Sequence, residues 1–237
     1  MAGTTASKKK QLRPDISPNA SHNIGVSIGV IEVNHPLIQL HLTRLRDQST
    51  EPALFRQSVR RLATLLAYEA TKDLTVRQTS VQTPLTKTEG VELDQRIGLV
   101  PILRAGLGMV DPVLDLLPSA EVWHLGLYRD EATAKPVRYY DKLPAQHPVD
   151  VGIILDPMLA TGGSAMAALI TLREWGVKQV KVLSLICSRE GVSNVAAQFP
   201  EAQLYVCQVD PLLNDQKFIV PGLGDAGDRI FNTTDPS

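Results

Sequence analysis

Apolar residues follow two rhythms along this chain. One is the short apolar run, seen without polar residues at Ile97–Leu103, Val151–Leu155 and 204–207, and interrupted only by Lys181 and Ser184 at 180–186. Runs of this length with no polar alternation predict strands buried on both faces. Residues 122–128 read as another strand, and 24–33 as an extended segment. The second rhythm is helical. Phe55, Val59, Leu62 and Leu66 follow Glu51 and Pro52 at i, i+4, i+7 and i+11, which predicts a helix with one buried face. Asn34, His35 and Pro36 start a shorter helix, with Leu37, Leu40 and Leu45 inward and His35 as a cap or packing residue. Ala165, Leu169 and Leu172 share a face of a third, which Gly176 closes. Residues 110–117 and 188–198 complete the helical set. Polar positions dominate 74–84 and 91–93, which predict an exposed hairpin turning near Glu89 and Gly90. Strands alternating with helices give an α/β fold, a mostly parallel sheet flanked by helices with right-handed crossovers.

The two ends of the chain and its composition narrow this further. Residues 1–22 are polar, with Lys8, Lys9, Lys10, Pro14 and Pro18, and predict a disordered tail. Residues 23–237 then form a single domain. The net charge of −1 offers no broad field for nucleic acid or an anionic membrane. No apolar run is long enough to span a bilayer, and the first twenty residues lack a signal-peptide core. Cys187 and Cys207 lie within apolar runs as core residues, with no metal-binding spacing. A cytoplasmic protein is expected.

Candidate chemistry gathers where strands end. After Val151–Leu155 come Asp156, Pro157, Met158, Leu159, Ala160, Thr161, Gly162, Gly163 and Ser164, and then a helix. Strand, small-residue loop and helix make a phosphate cradle. Glycines admit close backbone approach, the helix start supplies unpaired N–H groups, and Thr161 and Ser164 add hydroxyls. Asp156 stands where an open parallel sheet presents its ligand groups. The spacing is neither that of a P-loop nor G-x-G-x-x-G. The run from Ile97 to Met109 repeats the theme, with Arg104 at a strand end beside Gly106 and Gly108. A guanidinium fork there suits phosphate oxygens. Residues 129–142 are charged and read as an exposed lid led by Arg129. Residues 218–233 bring Gly222, Gly224 and Gly227 together with Asp225 and Asp228. Nothing in this last segment favours a helix, and it could wrap a planar ligand with its own N–H and C=O groups.

Residues 156–164 resemble the phosphoribosyl-diphosphate (PRPP) loop of the type I phosphoribosyltransferases, in the form of the uracil phosphoribosyltransferase branch. Residues 97–109 resemble that branch's pyrophosphate loop, and 218–233 its uracil-binding segment. The three occur in the family's order, and the resemblance spans 24–233. It implies the type I phosphoribosyltransferase fold and transfer of the 5-phosphoribosyl group from PRPP to uracil, giving UMP and pyrophosphate in pyrimidine salvage. It implies PRPP contacts from Arg104, Arg129, Asp156, Pro157, Met158, Leu159, Ala160, Thr161, Gly162, Gly163, Ser164 and Asp225. Ile219, Gly224, Asp225 and Ala226 would bind uracil, and Arg104, Arg129 and Asp225 would be catalytic. Mg²⁺ is implied as an ion held mainly through PRPP rather than by protein ligands. A homo-oligomer, dimer or tetramer, is implied too, with GTP as a candidate effector. Most type I relatives carry two adjacent acids where this chain has Asp156 and Pro157, so the second acid's ribose contact is not expected. Two alternatives remain: an RNA-binding regulator of pyrimidine operons on the same fold, and a purine or orotate transferase, which would need a different segment at 222–228.

Overall fold

The structure, a computed structural model, describes residues 29–129, 136–144 and 146–233. The tail expected over 1–22 and the tip of the expected lid, 130–135, lie outside the described residues. Strand β1 (Val30–Glu32) leads into helix α1 (Pro36–Arg46), capped by His35, whose Nδ1 accepts the Leu37 N–H at 3.1 Å. Helix α2 (Pro52–Ala70) buries Phe55, Val59, Leu62 and Leu66 completely. The inner stripe of α1 is Ile38, His41, Leu42 and Leu45, while Leu37 and Leu40, expected inward, are about half exposed. Leu40 and Leu45 are five residues apart, about 140° round a helix, and so cannot share a face.

A hairpin follows, β2 (Val76–Gln82) and β3 (Lys87–Leu93). Its turn is at 83–86 and not at Glu89 and Gly90, which lie within β3. Thr83 sets that turn: its N–H donates to the Thr86 carbonyl, and its Oγ1 accepts from the Leu85 and Thr86 N–H groups. Gly90 makes room instead for Val81, whose Cγ2 would lie 2.8 Å from an added Cβ.

The remaining elements build the sheet. They are β4 (Ile97–Leu103), a 3₁₀ turn (Ala105–Met109), α3 (Val110–Leu116), β5 (Glu121–Val122), β6 (Leu125–Arg129) and β7 (Pro136–Asp141). Then come β8 (Val151–Leu155), β9 (Met158–Leu159), α4 (Gly163–Trp175), β10 (Gln179–Ser188), α5 (Arg189–Gln198) and β11 (Gln203–Asp210). Last are β12 (Leu212–Leu213), β13 (Ile219–Val220) and α6 (Ala226–Phe231). The strand expected at 122–128 is thus two pieces, β5 against the start of β4 and β6 against its end.

The sheet runs β1-β11-β10-β8-β4-β6-β7, with β5 beside β4 and β9 beside β10. Neighbours are parallel except β7, which returns antiparallel to β6. Alternation along each strand divides the core in two. Leu99, Ile153, Leu155 and Leu183 face α1, α2, α3 and α6; Val100, Ile154, Val182 and Val206 face α4 and α5. Lys181, fully buried, ties α2 to the sheet: its Nζ donates to the Ala70 carbonyl at 2.5 Å and to Asp73. Among the described residues no helix is long and apolar enough to cross a membrane. Because β4, β8, β10 and β11 run parallel in register, their C-terminal ends share one edge, and the candidate chemistry stands there.

Candidate active site

The loop after β8 is held from behind. Ser184 Oγ donates to the Asp156 carbonyl at 2.7 Å, and Ser188 Oγ to the Ala160 carbonyl at 2.5 Å. Asn194 Nδ2 donates to the Thr161 carbonyl at 3.0 Å, and the Leu185 and Ile186 N–H groups to that of Pro157. With these carbonyls drawn toward β10 and α5, the loop closes into α4 at Gly162, whose φ is +83°. An L side chain there would be strained. Its Cβ would also lie 2.9 Å from Val195 Cγ2. Gly191 allows the same closeness from the α5 side, since a Cβ there would sit 2.3 Å from the Ala160 carbonyl oxygen. The N-terminus of α4 has no side-chain cap, so its first N–H groups suit an anion. Asp156, Met158, Ala160, Thr161, Gly162, Gly163 and Ser164 line the resulting concavity of about 60 Å³. Pro157 is buried behind it.

Asp156 forms the cradle's acidic end. Its Oδ1 accepts the Met158 N–H at 3.4 Å, and burial pushes its pKa up to about 7. A carboxyl poised at neutrality is common where ligands bind.

A wider cleft of about 280 Å³ opens from the same loop. Met158, Ala160 and Ser164 form one wall, Ala105 another, and Gln216, Lys217, Phe218, Asp225, Ala226 and Gly227 the third. The cradle and the C-terminal segment therefore face a shared space. Asp225 is the N-cap of α6, its Oδ1 accepting the Asp228 N–H at 2.9 Å. This helix was not expected; an aspartate followed three residues later by a second acid was its signal. Ile219 packs in the core and pairs with Leu213, so its side chain does not reach the cleft. Gly224, at φ +78°, supplies the turn before the cap. Phe218 opens the segment expected at 218–233; Gln216 and Lys217 lie just before it and carry no motif of their own.

Arg104 follows β4 across a cis peptide and is more than half exposed. Its Nη2 donates to Asp228 Oδ1 at 2.9 Å, so it joins the β4 turn to α6. Gly106 permits this turn, since a Cβ there would lie 2.3 Å from the Leu155 carbonyl oxygen. Arg129 ends β6, and its side chain lies outside the described residues. Among the described residues there is no group of three or more His, Cys, Asp or Glu able to hold a metal.

Comparison with known proteins agrees with this geometry. The family model for uracil phosphoribosyltransferase matches residues 32–233. Uracil phosphoribosyltransferase of Roseiflexus sp. strain RS-1 is 56% identical over 199 residues, covering 84% of this chain and 96% of that protein. The Finegoldia magna enzyme of the same name is 51% identical over 201 residues, with the same coverage. The solved structure of the AQ2163 protein from Aquifex aeolicus superposes with a TM-score of 0.82 at 36% identity, covering 86% of this chain and 99% of that one. The chain belongs to the uracil phosphoribosyltransferase family.

Proposed function

We propose that this chain transfers the 5-phosphoribosyl group of PRPP to uracil, giving UMP and pyrophosphate. One observation carries the reading: an anion cradle at the start of α4 opens into the cleft walled by the C-terminal segment. Breaking the bond from ribose C1 to diphosphate develops oxocarbenium character, so the protein needs positioning and charge stabilisation rather than a covalent nucleophile. Backbone N–H groups and hydroxyls from Ala160 to Ser164 bind the 5-phosphate. Asp156, as carboxylate, accepts from the ribose hydroxyls. Arg104 leaves Asp228 for the departing diphosphate, and Arg129 approaches the same group from the β6–β7 hairpin. Asp225, at the cleft wall, faces the ribosyl centre. Backbone groups at Gly224 and Ala226 read the base: a C=O accepts uracil N3–H and an N–H donates to the 4-carbonyl.

Mg²⁺ fits this site as part of the PRPP complex. The acids lining the cradle and the cleft are Asp156 and Asp225, too few to coordinate the ion without substrate oxygens and water. Bound in that way, the ion supplies neutralisation of diphosphate charge. We also propose a cytoplasmic homo-oligomer. The β2–β3 hairpin forms a separate two-stranded sheet with Val76, Val81, Leu85 and Val91 exposed. Such a hairpin is marginal unless it packs against something further, here a second copy. The reading as an RNA-binding regulator gains no support from a chain of net charge −1.

The test is UMP formation with PRPP and Mg²⁺ across uracil, 5-fluorouracil, cytosine, hypoxanthine and orotate. Uracil and 5-fluorouracil should be used and cytosine nearly inert. Preferred turnover of hypoxanthine or orotate overturns the proposal.

A further inference from the structure

The stretch assigned to the base reads it with backbone groups, so its selectivity depends on what fixes that backbone. The fixing residues lie behind the cleft. Asp210 ends β11 at 3% exposure, and Arg46 ends α1. They meet as a fork: Arg46 Nη2 donates to Asp210 Oδ1 at 2.6 Å and Nη1 to Oδ2 at 2.9 Å. The same two side chains then take both polar groups of Gly222. Its N–H donates to Asp210 Oδ2 at 3.0 Å, and its carbonyl accepts from Arg46 Nη1 at 2.8 Å.

A second guanidinium continues the work. Arg229 lies over the Phe55 ring at 4.3 Å and donates Nη1 to the Leu223 carbonyl at 2.8 Å. It also donates to the carbonyls of Leu45 at 2.5 Å and Asp47 at 2.6 Å. The Gly222 and Leu223 carbonyls are thus both drawn toward the end of α1. Downstream, the Asp225 cap fixes the start of α6. Gly224 bridges these two anchors. The upstream anchor has little slack, since a Cβ on Gly222 would lie 2.0 Å from the Ile219 carbonyl oxygen.

A buried ion pair is a poor source of stability, because desolvation cancels much of its attraction and apolar replacements are often as stable. What Arg46 and Asp210 supply that an apolar pair cannot is direction for the Gly222 peptide. We infer that Arg46 and Asp210 are positioning residues for base recognition, holding the register in which Gly224 and Ala226 select uracil over cytosine. The inference rests on the reading of 219–226 as the base segment.

The test measures kcat/KM for uracil and cytosine, and KM for PRPP, in the wild-type enzyme, Arg46→Lys, Asp210→Asn and the apolar double variant Arg46→Met/Asp210→Leu. Lysine keeps the charge but loses the fork that spans Asp210 and Gly222. The expected result is a rise of about tenfold in the KM for uracil and a similar fall in the uracil-to-cytosine ratio, the size of one charge-assisted contact. KM for PRPP should stay within about twofold, since the phosphate cradle is held by other residues. The double variant, which leaves the Gly222 N–H and carbonyl unpaired, should still fold but melt lower, and it should lose uracil selectivity while KM for PRPP stays unchanged, a split that a purely structural pair would not give. Folded variants as selective as a selective wild type overturn this inference alone. Variants that all fail to fold overturn it too, making the pair a folding element. A wild type that does not prefer uracil to cytosine overturns the base-segment reading beneath it.

Discussion

Ser188→Ala isolates the support behind the proposed phosphate cradle. The Ser188 hydroxyl is fully buried and does two things. It caps α5 by accepting the Gly191 N–H at 2.8 Å, and it donates to the Ala160 carbonyl at 2.5 Å. Losing a serine N-cap costs about 1 kcal/mol. Losing the bond to a part-buried carbonyl costs about 1 kcal/mol more. Urea titration should therefore show a destabilisation of about 2 kcal/mol. The functional effect is separable. Without its tie, the Ala160–Thr161 peptide no longer holds its N–H in place, and KM for PRPP should rise about fivefold, the equivalent of roughly 1 kcal/mol. KM for uracil should stay near wild type. Ser188→Thr, which can keep both bonds, should restore stability and PRPP affinity together. A loss below about 0.5 kcal/mol, or a threonine variant no better than alanine, would refute the reasoning.

Three further outcomes are expected. Gly163→Val should leave a folded protein without measurable PRPP binding in calorimetry, because a branched side chain at the first residue of α4 blocks the phosphate; near-normal affinity refutes the cradle assignment. Arg104→Ala should lose on the order of 1.5–3 kcal/mol of transition-state stabilisation, equally with uracil and 5-fluorouracil; a loss confined to one base would place Arg104 on the base instead. Asp156 has a folded pKa of about 7, above the usual 3.8, so its protonated form favours folding, a contribution present below 3.8 and lost as pH rises through about 7. Asp156→Asn should therefore gain thermal stability relative to wild type as pH rises across that range, while the wild-type kcat/KM for PRPP should rise with pH through an inflection near 7 that the variant lacks.

The central strands β4, β8, β10 and β11 could be read from the sequence because each carries a mostly apolar run, and that pattern survives whatever packs on it. Val151–Leu155 is buried throughout, as its composition requires. The misplaced features are those in which a weaker local signal lost to geometry. Gly90 reads as a turn residue, yet it sits inside β3 because Val81 needs its space. Leu37 and Leu40 are apolar but out of phase with the stripe that α2 covers. The glycines of 222–228 hid α6, whose stability comes from the Asp225 cap and from Ala226 and Ile230 in the core rather than from helix propensity.

The strings proposed to bind ligand were legible in the sequence because the groups lining the cradle are contiguous, as in 156–164. What aims them was not, since the partners come from remote parts of the chain. Ser188 is 28 residues from Ala160, and Asp210 is 164 from Arg46. Such pairs leave no local periodicity. They become derivable once strand order is known. In this sheet Ser188 pairs in register with Asp210, and β10 also pairs with β8. A residue ending β8 must then stand beside one ending β10, and that one beside one ending β11. Asp156, Ser188 and Asp210 follow in that order along one edge. The first lines the cradle, and the other two hold the backbone of the loops at Ala160 and Gly222. A parallel sheet thus supplies each binding loop with its support from the neighbouring strand's end, and a search for positioning residues in this fold can begin at those ends.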